Sequence, residues 1–335
     1  MWKSSTTRLI VRLLLLTVFI LIAMHLLNFL IRHSKQTSDM LPTNLENYDH
    51  FQVPYNSTCS RAADKRGDNQ KIISFSLYGN FTNENMFYTY LQPLKDTINL
   101  IAQIYPGWVV RIYHNMTIDD AGSATWHLLV KTLPVDSNHV DLCNATEIIK
   151  KMRLGDIFAM TWRWLPLLDD MVQTLMSRDT DGRIIPREKE AVSEWLSSDR
   201  IFHVMRDHPA HCLFGFIMGC CWGVKVSMDR PRIVHSAKMM FTINHMHEYD
   251  YDQLLLDEFI WPIARTNLMA HDSYCCEVFQ QSQPFPTQRK DRFFVGSRTI
   301  MGNGKNGTEE LSDIDICPHN CRPHNASFKS DWKFC

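Results

Sequence analysis

Hydrophobic positions along this chain follow three rhythms, and each predicts a different element. From Leu13 to Ile31 they run on without a break (LLLLTVFILIAMHLLNFLI), and no side chain in the run is formally charged. As a helix, such a run is long enough to cross a hydrocarbon core of about 30 Å. Lys3, Arg8 and Arg12 precede it and Arg32 and Lys35 follow. That slight bias, with the free amine, favours a cytoplasmic N-terminus. Residues 32–68 are then polar, with Pro42 and Pro54, and are expected to be a stem.

Beyond the stem the rhythm shortens. Lys71 to Tyr78 (KIISFSLY) reads as a buried strand ended by Gly79-Asn80. Met86, Tyr90, Leu94, Ile98, Ile101 and Ile104 then recur at helical spacing, which predicts a helix over 85–104 with those residues inward and Pro106-Gly107 as its stop. Strand character returns over 108–113. A β-α-β opening implies parallel strands joined by a right-handed crossover. The alternation continues with a helix at 124–131, a strand at 139–142, a mostly helical stretch at 148–168, a strand at 171–176, a helix at 187–196 and a strand at 201–205. Repeated units of this kind predict an α/β domain, a mixed but mainly parallel sheet with helices on both faces, whose ligands bind beyond the carboxyl ends of the strands. After Arg206 glycines interrupt an apolar stretch (FGFIMGCCWGVK), and Tyr251 to Ile263 reads as a helix with Leu254, Leu255, Phe259 and Ile260 inward.

Composition adds the compartment. Six Asn-x-Ser/Thr sequons, at Asn56, Asn80, Asn115, Asn144, Asn306 and Asn325, all follow the long apolar run, which favours a luminal position for everything beyond it. Ten cysteines fit an oxidising compartment. Cys317, Cys321 and Cys335 suggest a stapled tail, and the adjacent pairs Cys220-Cys221 and Cys275-Cys276 are expected to give one partner each to separate bonds. No Cys-x-x-Cys occurs, which disfavours zinc. A net charge of −1 with interspersed signs offers nucleic acid no basic surface. The expected organisation is a cytoplasmic tail over 1–12, a signal anchor over 13–31, a stem over 32–68 and one luminal domain over 69–335.

The candidate chemistry lies at the end of the strand at 171–176. Asp179 and Asp181, two residues apart, would project from the sheet's lip and hold a hard cation such as Mn²⁺ or Mg²⁺, completed by phosphate oxygens of a ligand. Two surface aspartates are the plainer alternative. A third is a calcium loop over 177–188, with Ser177 first, Gly182 at the turn and Glu188 last, which approximates an EF-hand pattern. His203, His208 and His211 resemble a metal cluster, but their spacing fits no usual zinc site, and Pro209 breaks any helix that would align them. Arg206, Asp207 and His208 follow a strand end and are candidates for substrate contact.

Short tail, single anchor, stem, luminal β-α-β start and Asp-x-Asp together resemble the type II Golgi glycosyltransferases of GT-A, Rossmann-related fold. The resemblance implies that Asp179 and Asp181 hold Mn²⁺ or Mg²⁺ against the diphosphate of a UDP- or GDP-sugar, with His271 in Ala-His-Asp-Ser as a third ligand. It also implies that Tyr78, Gly79 and Asn80 contact the nucleotide. Arg178 and Arg206 are candidates for the phosphates. If the enzyme inverts, Asp207, Asp257 or Glu258, with Glu258 favoured, would deprotonate an acceptor hydroxyl. The acceptor would be a glycan, protein or lipid, and the location the Golgi membrane, with the endoplasmic reticulum as alternative. A luminal calcium-binding interaction protein and a metal-dependent hydrolase of phosphate or sugar esters are the rival functions.

Overall fold

A computed structural model describes residues 57–116, 123–213, 215–301, 307–312, 316–323 and 334–335. The expected tail and anchor, and the stem as far as residue 56, lie outside them. No helix among the described residues is long and apolar enough to cross a membrane.

Eight strands form one sheet: β1 (Gln70–Leu77), β2 (Val109–His114), β3 (Val140–Asn144), β4 (Val172–Ser177), β5 (Phe202–Arg206), β6 (Trp222–Val224), β7 (Leu268–Asp272) and β8 (Ser282–Gln283). Their order is β3-β2-β1-β4-β6-β5-β7-β8. Every pairing is parallel except the two made by β6. The order runs outward from β1 to β3 and then restarts on β1's other side with β4. The carboxyl ends of β1 and β4 therefore meet at a topological switch point, where sheets of this kind open a crevice for ligands.

Alternation along β1 builds one core on each face of the sheet. Ile73, Phe75 and Leu77 pack with Leu94, Ile98 and Ile101 of the helix Gln92–Ile104 and with Val192 and Trp195 of Pro186–Ser197. Ile72 lies on the other side with Trp164, Phe241 and Leu256. Each such side chain contributes roughly 1.5–3 kcal/mol by leaving water. Buried ion pairs complete the frame. Arg111 meets Asp169 at 2.6 Å, and Asp169 also accepts hydrogen bonds from the Ser57 hydroxyl (2.9 Å) and the Thr58 N–H (2.8 Å). These contacts, the short helix Arg61–Lys65 and the Cys59–Cys143 disulfide put residues 57–68, expected to end a stem, inside the folded unit.

Other expectations need correction. The stretch read as helix over 148–168 is split: the helix Ala145–Met152 ends with Arg153 at φ 52°, and a 3₁₀ stretch, Ala159–Leu168, follows. Between them Gly155 packs against the backbone of Ile243, whose carbonyl oxygen would lie 2.4 Å from any added Cβ. A helix at Arg230–Thr242 was not expected at all. Cys220 and Cys221 bond to each other, whereas Cys275 pairs with Cys212 and Cys276 with Cys321. Cys317–Cys335 closes the tail.

Two helices also carry a π turn, at Phe87–Leu91 and Leu256–Ile260. A π turn holds one residue more than an α turn and so rotates everything before it relative to everything after; such turns recur at functional sites. Its effect is visible in burial. Leu91 is fully buried where Tyr90 was expected, and Tyr90 is 36% exposed; likewise Leu256 is buried and Leu254 is 48% exposed.

Candidate active site

β1 ends at Leu77 and the chain continues through Tyr78 to Gly79, whose φ of +107° suits glycine. A Cβ there would also meet the Met86 methyl at 2.7 Å. β4 ends at Ser177, and the next turn carries both aspartates. That turn is fixed on two sides. The Gly182 N–H donates to the Asp179 carbonyl (3.2 Å), while the Thr299 N–H donates to the Asp181 carbonyl (2.8 Å) and the Arg183 N–H to Ser297 (3.0 Å).

Between these two strand ends lies a cavity of about 270 Å³, walled by Tyr78, Tyr90, Arg163, Asp179, Asp181 and Arg298 among others. The first π turn is why Tyr90 faces it. Arg163 is the residue that organises the charge here: its buried guanidinium pairs with Asp179 and, at 2.9 Å, with Asp252. Room for that bridge comes from Gly219, where a Cβ would lie 2.5 Å from the Arg163 Nη2.

Burial, and then the negative charge of Asp179, push the Asp181 carboxyl up to about 7; Arg298 and Arg163 offset this only in part. Burial holds the Tyr78 phenol up at about 12 and raises Tyr90 and Tyr249 as well. All three therefore keep their protons near neutral pH and can donate hydrogen bonds. The cavity thus offers two mutually repelling carboxylates, two guanidinium groups and three phenol donors. A divalent cation fits this donor set: it would remove the repulsion that protonates Asp181, and its hardness matches carboxylate oxygen. Among the described residues no cluster of three His, Cys, Asp or Glu side chains is arranged to hold a metal. Two carboxylates are what the protein brings, and the remaining oxygens must come from a ligand or water.

The other sequence-predicted residues are elsewhere. His271, expected as third ligand, sits on β7, three positions along the sheet from β4, or about 14 Å at the usual strand spacing. Both of its ring nitrogens are engaged, with His203 at 2.8 Å and with Glu194 at 3.2 Å. Arg178 is spent on Glu188 and on the carbonyls of Ser177 and Cys220. Arg206 is buried against Asp272 at 2.7 Å and stacks on Phe279. His208 caps the 3₁₀ turn Pro209–Cys212, its Nδ1 accepting from the Ala210 N–H. Asp207, fully buried, holds Arg187, Arg289, the Ser273 hydroxyl and the Val295 N–H, so it is a structural hub and no base. Asn80 accepts hydrogen bonds from Thr82 and Thr125 at the exposed turn beyond Tyr78. Glu258 is exposed, while Asp257 lines a second cavity.

The calcium loop is overturned. A strand, β4, precedes it where an EF-hand needs a helix; the Ser177 hydroxyl donates to the Gly219 carbonyl, and Glu188 is buried against Arg178.

Sequence reasoning missed Arg163, Asp252, Tyr249 and Arg298. Arg163 carried a signal, a lone cation inside an aromatic run (Thr-Trp-Arg-Trp). The others lie between 73 and 119 positions from Asp179 and had none.

The largest cavity, about 670 Å³, shares no lining residue with this one. It opens by His114, Trp126, Asn144 and Lys151 and holds no pair of carboxylates. The aspartate cavity is the better candidate for chemistry, because opposed charges and a raised carboxyl converge there.

No known protein family matches the chain, and no curated protein does. Among solved structures it is similar to the crystal structure of a glycosyltransferase involved in the glycosylation of the major capsid of PBCV-1. Identity is 14%, over 61% of this chain and 83% of that one, with a TM-score of 0.32. So slight a likeness carries no argument about activity.

Proposed function

We propose that this chain is a metal-dependent glycosyltransferase of GT-A-like build. It would move a sugar from a UDP- or GDP-sugar to a glycan, protein or lipid in the secretory pathway. One observation carries the reading: a single cavity at the sheet's switch point gathers Asp179, Asp181, Arg163, Arg298, Tyr78 and Tyr90. Glycosyl transfer breaks the bond between the anomeric carbon and a diphosphate oxygen, so negative charge grows on the leaving group. Held by Asp179 and Asp181, Mn²⁺ or Mg²⁺ supplies Lewis-acid stabilisation of that charge. Arg163 and Arg298 add fixed positive charge in a partly closed site, and the Tyr78 and Tyr90 hydroxyls can donate to oxygens of the donor. Five disulfides and the six sequons support a luminal domain. The uncharged run over 13–31 supports a type II anchor, in the Golgi membrane or the endoplasmic reticulum.

The test is an assay with radiolabelled UDP- and GDP-sugars and a luminal glycoprotein and lipid extract. Label should pass to the extract with Mn²⁺ or Mg²⁺ and stop with EDTA. Free sugar released equally fast without extract would indicate the hydrolase instead.

A further inference from the structure

We propose that the second cavity, walled by Tyr249 and Asp257, binds the acceptor as a neutral sugar, with the Asp257 carboxylate accepting a hydrogen bond from a sugar hydroxyl. This rests on the glycosyltransferase reading and gives it an acceptor class. The cavity, about 410 Å³, is of ordinary ligand size. Tyr249 lines both it and the aspartate cavity, so an occupant of one stands a single side chain from an occupant of the other. The buried network joins them too: Arg163 binds Asp179 and Asp252, and Gln253, in the second cavity's wall, donates to Asp252 at 3.0 Å.

The lining chemistry selects the ligand. Glu248, Asp250 and Asp257 are carboxylates, and no Lys, Arg or His lines the cavity. Phosphate, sulfate or acidic sugars would be repelled, whereas hydroxyl groups find strong acceptors. Tyr249, 80% exposed, and Leu254, 48% exposed, present apolar surface of the kind a sugar's C–H face covers.

Asp257 is shaped for contact rather than left by chance at the surface. It lies in the second π turn, which turns it into the cavity while its neighbour Glu258 is exposed. Above it sits Gly215, at φ +108°; a Cβ there would be 3.0 Å from Oδ2 and 3.4 Å from Oδ1. Only glycine combines that backbone with free space over the carboxylate. The Phe216 N–H donates to Oδ1 at 3.3 Å, orienting the group and leaving Oδ2 for a ligand.

The experiment is saturation-transfer NMR on the detergent-solubilised full chain. Probes are the methyl glycosides of galactose, glucose, N-acetylglucosamine, mannose, fucose and xylose, and Mn²⁺-dependent UDP and GDP binding is measured in parallel. At least one glycoside should bind. Asp257→Asn should weaken it about tenfold or more, as loss of a charged acceptor does. Leu254→Arg, at an exposed position, should do the same, and both variants should keep nucleotide binding within about twofold of the parent. Glycoside binding indifferent to both variants, or absent while nucleotide binds, would overturn the proposal and leave the donor site standing. So would an Arg-rich peptide that binds in their place. Loss of nucleotide binding in the parent chain with glycoside binding intact would instead sink the glycosyltransferase reading.

Discussion

Asp181→Asn should abolish cation-dependent transfer and, in the metal-free protein above neutral pH, make the fold more stable. The two effects share one cause. Asp181 sits beside Asp179 in a partly closed cavity, and its carboxyl titrates at about 7 instead of the ordinary 3.8. Between about pH 4 and about 7 the native state holds a proton that the unfolded chain has released. The group's stabilising contribution is therefore fully present at low pH and is lost as pH rises through that window. Asparagine copies the protonated form at every pH. The variant should gain about 1–2 kcal/mol at pH 8 and nothing at pH 4, less than the full shift implies because the cavity opens to solvent. Transfer should fall roughly 100- to 1,000-fold, the scale on which single electrostatic stabilisers act. Denaturant titrations at the two pH values, with a transfer assay, check both halves. Unchanged transfer would remove the cation from the mechanism.

Asp207→Ala should give the largest loss of stability. Its carboxylate is fully buried and neutralises two guanidinium groups, Arg187 and Arg289, whose side chains are 7% and 1% exposed. Removing one partner of a buried ion pair costs about 3–5 kcal/mol, a large part of the 5–15 kcal/mol that typically holds a domain together. Here two cations are left without their partner, so the cost belongs at the upper end. A base in an open site would behave differently. Its loss would spare the unfolding midpoint and stop transfer, so urea denaturation followed by tryptophan fluorescence separates the two roles.

The backbone plan was legible because it depends on local spacing. The apolar runs ending at Tyr78 and Met176 mark β1 and β4, and their carboxyl ends are where the cavity lies. Side-chain direction was less legible. A π turn adds one residue and shifts every later position, which is why Tyr90 and Leu254 were counted as core and are not. Ile233, Ala237, Met240 and Phe241 have helical spacing, yet they are diluted by Arg, His and Lys, and that helix went unread. Pairing across the chain was hidden altogether. Arg206 binds Asp272, 66 positions away, and His203 meets His271 across 68; taken singly, each looked like a site residue past a strand end. Arg163 and Arg298 reach the cavity only because the 3₁₀ stretch and the segment bridged to Gly182 fold over it.

The central claim is that Asp179 and Asp181 hold a cation that in turn holds a nucleoside diphosphate. Calorimetric titration of UDP and GDP into the protein, with Mn²⁺ and then with EDTA, tests it most directly. Saturable binding should require protein, nucleotide and Mn²⁺ together and should vanish in Asp179→Asn. Equal nucleotide binding in EDTA, or Mn²⁺ binding that no nucleotide strengthens, would contradict it.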